Sequence, residues 1–378
     1  MMVKKKCKIG IVTWFNSENY GTNLQAYALY RKITLLGYEC SLINEFNYKK
    51  FGVRQFLMQL LQTFGLYSLC KKRIRSSCNR KRLISTINFF NKNVNVEYIF
   101  TTRKYNELIN KYNTFISGSD QIWNPNYLKT FYFLDFAGNN RKIAYASSIG
   151  VNKLTEEQSP IYRNYLSNFH KIGVRERSGA NLINEILDKE KAVQVVDPTF
   201  LLKKEEWGDI ISQSNINYKF DYIFGYLIGN RKDYIDQLLD VAQIANINNI
   251  VVVPSIENPN FRVNNKKLQV IYLPDASLAD FIKLIMNSTI VCTDSFHATA
   301  LSINFHKNFI EFMRFSNDDI KSQNSRIIDV LDRYGLKNRI YSLGNKSLAN
   351  TINYKSVSKI LNEDIERSIK FLTTSIEA

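Results

Sequence analysis

The sequence is poor in the side chains that build metal centres and covalent cross-links: 378 residues include only 5 cysteines and 3 histidines. Cys7, Cys40, Cys70, Cys78 and Cys292 are odd in number, irregularly spaced and never form a Cys-x-x-Cys pair. They read as reduced thiols, and neither a disulfide framework nor a structural zinc site is expected. A transition-metal site draws on clustered His, Cys and carboxylates, so no metal cofactor is expected either. Only 6 prolines and 15 glycines leave little room for long flexible linkers. No stretch approaches the ~18 apolar residues that a membrane span requires. The basic N-terminus leads into a strand-like run of about seven residues, without the apolar core or cleavage site of a signal peptide. A soluble, cytoplasmic protein is the expectation.

What the chain does contain is a globular composition, 45% hydrophobic and 22% charged, and enough length for two domains of roughly 150–200 residues each. Its net charge of +17 attracts anions, whether nucleic acid, an anionic membrane surface or small phosphorylated substrates. Residues 71–82 carry seven basic side chains and no acid, directly after an apolar segment at helical spacing over 56–69. Together they read either as an amphipathic helix resting on an anionic leaflet, at the inner face of the membrane, or as a core helix followed by a solvated basic face. Nucleic acid is not an expected partner, because no helix-turn-helix, zinc-finger, RRM or KH signature accompanies the charge.

Periodicity gives the organisation. Residues 8–15 are a short β-branched strand, 16–23 a polar loop, and 24–36 a helix with Leu24, Ala28, Leu29, Ile33 and Leu36 on one face, closed by Gly37. Residues 40–43 are strand-like again, which completes a βαβ unit. A basic, helical excursion is expected over about 50–112. Further strands are expected at 114–117, 142–148, 170–174 and 192–196, with helices over 155–170 and 175–187. The Asp197-Pro198-Thr199 turn is the candidate boundary between domains of residues 1–200 and 201–378. In the second half, strands at 222–229, 250–255, 289–295 and 308–312 alternate with helices at 231–246, 277–287, 323–336 and 355–373. The last helix is expected to pack back on the first domain. This is an α/β chain of two Rossmann-like domains, two open parallel sheets facing a cleft.

In such sheets ligands bind beyond the carboxyl ends of the strands, where helix N-termini aim free N–H groups outward. Four polar loops occupy that position. The first holds Asn16, Tyr20, Gly21, Thr22 and Asn23: Gly21 lets backbone approach an anion, while Thr22 or Asn23 donates to it or caps the helix. No GxGxxG fingerprint is present, so a dinucleotide cofactor is not expected. The second holds Ser119, Asp120 and Trp123, a hydroxyl and a carboxylate at the sheet edge with an indole face suited to a sugar ring; an N-cap pair and a core Trp are the alternative. The third holds Arg175 and Arg177 at a helix start, either an anion site or a surface pair with Glu176. The fourth holds Asp294, Ser295 and His297. In the first turn of a helix the dipole disfavours the imidazolium form, which suits general acid–base work, although a lone histidine is more often structural.

The segments at 19–29 (NYGTNLQAYAL), 115–125 (FISGSDQIWNP), 142–150, 174–183 (VRERSGANLI), 195–202 (VVDPTFLL) and 293–303 (TDSFHATALSI), taken in this order, resemble the polysaccharide pyruvyl transferase family. The resemblance covers nearly the whole chain. It implies a glycosyltransferase-B-like fold with the active site between the domains. It also implies phosphoenolpyruvate as donor, a polysaccharide or lipid-linked sugar as acceptor, and no metal. Carried over, it makes Arg175 a donor-anion ligand and His297 the catalytic acid or base, with Asn23, Ser119 and Asp120 near the cleft. Family members with transferase activity often read Arg-Leu-His where this chain has Ser295-Phe296-His297. Arg314 and Arg326, near later strand ends, are the candidates to supply the missing cation. On this reading Arg175 and Arg177 hold the donor bidentately, and Asp120 or Asp294 activates an acceptor hydroxyl. A glycosyltransferase of the same fold, with a nucleotide-sugar donor, is the alternative.

Overall fold

The computed structural model describes residues 7–45, 77–99, 101–315 and 324–378. Two parallel sheets organise them. The first has seven strands in the order β3-β2-β1-β4-β5-β6-β7: β1 Lys8–Val12, β2 Glu39–Glu45, β3 Val96–Ile99, β4 Thr114–Ser117, β5 Arg141–Ser147, β6 Lys171–Val174 and β7 Ala192–Gln194. The second has five, in the order β10-β9-β8-β11-β12: β8 Ile223–Tyr226, β9 Asn249–Val252, β10 Gln269–Tyr272, β11 Ile290–Thr293 and β12 Asn308–Glu311. Every pairing between neighbouring strands is parallel. Central strands such as β4, β8 and β11 are buried along their whole length, because helices cover both sheet faces. These are two Rossmann-like domains.

Strand order reverses between β1 and β4 in the first sheet and between β8 and β11 in the second. Crevices open at such switch points. The helix Tyr20–Leu35 follows β1 and is buried on nearly all sides, because it lies between its own sheet and the second domain. Tyr20 stacks on Phe281 at 4.3 Å and donates to the carbonyl of Ala276 at 2.7 Å. The final helix, Tyr354–Glu377, crosses back to the first sheet: Ser368 Oγ accepts from the Val196 amide, and Arg141 donates to the carbonyl of Ile376.

Two strands lie where no strand was expected from sequence. β3 falls inside the excursion read as helical, and β10 was not anticipated. Both are sheet edges, partly exposed along their length, so neither carries the continuous apolar run that marks the buried strands. The apolar segment 56–69 and residues 71–76 of the basic run lie outside the described residues. At the end of that run Lys81 is exposed and Arg82 is not. Arg82, in the helix Ser77–Asn93, is 2% exposed. It donates to the carbonyls of Pro254 and Pro274 at 2.8 and 2.7 Å, and its guanidinium lies over the Tyr20 ring. One basic side chain thus ties the first domain to the second. No helix among the described residues is long and apolar enough to cross a membrane.

Candidate active site

The loops after β1, β4, β6, β7 and β11 converge on one buried carboxylate, Asp197. It caps the short helix Pro198–Leu201, accepting at Oδ1 from the Thr199 amide (3.0 Å) and hydroxyl (2.8 Å). Its Oδ2 faces three groups from elsewhere: Ser119 Oγ at 3.0 Å, Arg175 Nη1 at 3.2 Å and His297 Nε2 at 3.6 Å. The last distance is too long for a hydrogen bond, it is an ion pair only with His297 protonated, and Nε2 has no hydrogen-bond partner. Burial alone would raise the Asp197 carboxyl, but His297 and Arg175 outweigh it and hold it well below the ordinary carboxylate range.

Arg175 directly follows β6, with a side chain only 2% exposed. Its Nε donates to Glu176 Oε1 at 2.7 Å, and its guanidinium lies 4.3 Å from the Phe296 ring centre. Burial opposes the charge, yet Glu176, Asp197 and Asp120 more than compensate and raise its pKa above the ordinary arginine value. Nη2 is buried and has no hydrogen-bond partner. Arg175 lines a cavity of about 60 Å³ with Asp197, Phe296, Arg326, Asp329 and Arg333, while His297 and Asp120 lie outside its lining. Burial and the neighbouring Arg175 pull the Arg326 guanidinium down to about 10, so it stays protonated at neutral pH.

His297 sits in the first turn of the helix Phe296–Asn304 and is 7% exposed. Its Nδ1 side packs on Gly21, where a β-carbon would come within 2.3 Å of Nδ1, so only glycine fits there with the ring in place. One residue along, Thr22 donates to Asp120 Oδ2 at 2.7 Å. Asp120 also accepts from the Gln121 amide and has φ of 76°, a left-handed conformation strained for a residue with a side chain. Gly21, Thr22, Ser119, Asp120, Arg175 and His297 are therefore linked into one cluster that runs from the loops after β1 and β4 to the loop after β6 and the second domain's helix Phe296–Asn304.

Other expected site residues are engaged differently. Trp123 is fully buried, stacked on Phe133 with its indole N–H donated to the carbonyl of Tyr132; it is core and presents no face to a sugar. The Asp294 carboxylate accepts from the amides of Ile228 and Gly229 and from the Tyr234 hydroxyl, with Arg314 Nε at 3.4 Å. Ser295 is the helix cap, accepting from the Ala298 amide. Arg314 reaches the cleft edge and donates to the carbonyl of Asp294 at 3.1 Å. Arg177 is exposed and lies off the cavity. With two of Arg175's three donor nitrogens committed to carboxylates, the two arginines do not form a joint bidentate clamp. Asn16 donates to the Tyr98 hydroxyl, Asn23 braces the loop by donating to the carbonyls of Ser17 and Asn19, and Tyr20 belongs to the domain contact described above.

Asp197 was read from sequence only as a turn residue. The signal for more was its place at the end of β7, on the same sheet edge as Arg175. Among the described residues no group of three or more His, Cys, Asp or Glu is arranged to hold a metal ion.

The fold resembles that of Arabidopsis thaliana UGT89C1 complexed with UDP-L-rhamnose, with a TM-score of 0.54 at 10% identity over 99% of both chains. UDP-GlcNAc 2-epimerase from Methanocaldococcus jannaschii aligns with a TM-score of 0.49 at 12% identity, covering 97% of this chain and 99% of that one. No curated protein matches the sequence. The family model for polysaccharide pyruvyl transferase matches residues 19–317, a span that holds the whole Asp197 cluster. The chain belongs to the polysaccharide pyruvyl transferase family.

Proposed function

We propose that this chain transfers pyruvate from phosphoenolpyruvate to a pair of hydroxyls on a sugar of a polysaccharide or lipid-linked glycan precursor, without a metal ion. The observation that carries the proposal is the buried Arg175 guanidinium, with one nitrogen unpartnered beside a small cavity and His297 and Asp120 in the same cluster. An anionic donor supplies what that nitrogen lacks. His297 delivers a proton to the methylene carbon of the donor, and C2 gains cationic character. An acceptor hydroxyl attacks C2 and passes its proton to Asp120. The C2–O bond to phosphate then breaks, the phosphate leaves with the bonding electron pair, and the second hydroxyl closes the cyclic ketal as its proton is lost.

The test is incubation with phosphoenolpyruvate and a panel of lipid-linked galactosyl, mannosyl and hexosamine acceptors, following phosphate release and the added pyruvyl mass. His297→Ala is expected to lower turnover by about 10²-fold or more with the fold retained; near-normal turnover removes His297 from the mechanism. The second reading, a glycosyltransferase with a nucleotide-sugar donor, draws on the fold shared with UGT89C1. Tight binding of nucleotide sugars without any response to phosphoenolpyruvate would favour it.

A further inference from the structure

Glu311 ends β12 with its side chain fully buried. Its Oε2 lies 2.5 Å from Thr299 Oγ1, and Oε1 has no hydrogen-bond partner. Thr299 Oγ1 also lies 3.0 Å from the carbonyl oxygen of Ser295, one turn back in the same helix. A threonine hydroxyl owns a single hydrogen, and a carbonyl can only accept. If Thr299 donates to Ser295, the hydrogen in the short contact comes from the carboxyl. If it donates to Glu311 instead, an anion is buried on one hydrogen bond, at a cost of several kcal/mol. The charged groups facing it make that worse. Asp294 opposes a second negative charge, and Arg314, the nearby cation, is already engaged with Asp294. Tyr341, whose amide bonds to the Glu311 carbonyl, turns its hydroxyl to Asp240.

We infer that Glu311 is held as a neutral carboxylic acid at physiological pH and donates its proton to Thr299, so that two linked hydrogen bonds, Glu311 to Thr299 to the Ser295 carbonyl, fix the first turn of the helix that carries His297. Glu311 is then a positioning residue, and its link to turnover rests on the role given to His297 above. Burial and Asp294 raise its carboxyl well above the ordinary glutamate value, in keeping with the geometry. The sign of the pH effect follows. Above pH ~4.3 the unfolded chain releases this proton while the folded one keeps it, so stability falls as pH rises.

Glu311→Gln retains a donor in place of the acid and cannot ionise, whereas Glu311→Leu keeps bulk and loses the donor. Three measurements decide. Infrared difference spectra at pH 7 should show a protonated-carboxyl band that Glu311→Gln removes. Thermal unfolding should give equal midpoints for wild type and Glu311→Gln at pH 4, with the variant higher at pH 8. Turnover should fall in kcat more than in KM for Glu311→Leu and be restored by Gln. Absence of the band, or a Gln variant as impaired as the Leu variant, overturns the inference. The first two readouts need no substrate, so they judge Glu311 even if phosphoenolpyruvate is not the donor.

Discussion

Replacing Asp197 with asparagine removes one charge from the centre of the site while keeping its size. The Thr199 amide and hydroxyl can still donate to a carboxamide oxygen at the Oδ1 position, so the short helix after β7 keeps its cap, whereas an NH2 in place of Oδ2 no longer accepts from Ser119 or Arg175. Arg175 loses its contact with Asp197 at 3.2 Å and keeps Glu176 at 2.7 Å, and His297 loses the carboxylate at 3.6 Å. Breaking a buried ion pair from one side costs about 3–5 kcal/mol, and the surviving Glu176 contact places this case near 3 kcal/mol. For a domain of about 200 residues that lowers Tm by roughly 6–12 °C. The pH dependence has a definite sign. The folded carboxyl is held below its unfolded value, so its contribution is present above pH ~4 and is lost as pH falls through the folded value. Calorimetry from pH 3 to 7 should therefore show the variant's deficit largest at pH 7 and shrinking toward pH 3. Turnover should fall at least as far as in His297→Ala. A variant with unchanged Tm and unchanged turnover would refute the placement of Asp197 at the centre of the site.

Gly21→Ala places a β-carbon on the His297 ring; the ring must move, and turnover is expected to drop about 10-fold or more with only a modest change in Tm, measured by phosphate release beside calorimetry. At Asp120, where φ is 76°, glycine should be more stable than alanine by about 1 kcal/mol in denaturant unfolding, the reverse of the usual order, while both lose the Thr22 contact and most activity. An alanine variant at least as stable as the glycine variant would show that the backbone there is unstrained.

Much of the architecture was legible because buried parallel strands are apolar along their whole length. Residues 8–15 and 289–295 each advertise such a strand, and β1 and β11 lie inside them. The same rule explains what was not legible. β3 (VEYI) and β10 (QVIY) are half-exposed along most of their length and interrupted by Glu97 and Gln269, so neither shows a continuous apolar run. Trp123 misled for a related reason. A tryptophan in a polar loop looks available, but the loop folds under the residues after it, and Phe133 and the Tyr132 carbonyl, nine to ten positions on, occupy its face and its N–H.

The arginines show where local reading stops. That a guanidinium stands at the end of β6 follows from the strand pattern and the basic pair at 175 and 177. How many of its donors are spent does not, because the groups that spend them come from different distances along the chain. Glu176 is adjacent, Asp197 is on the next strand's loop, and Phe296 arrives from the second domain. The same holds for Asp294. Its position after β11 resembles that of a catalytic acid, yet the amides at 228 and 229 and the Tyr234 hydroxyl, all from the β8 crossover, consume its lone pairs. A residue type at a strand end therefore marks a candidate, and only the sum of its partners separates a reacting group from an anchor. Asp294 is held by three donors, Arg177 is exposed, and Arg175 keeps one buried nitrogen without a hydrogen-bond partner. Arg175 Nη2 after β6 and His297 Nε2 after β11 are both buried without a hydrogen-bond partner, and both belong to groups that face Asp197.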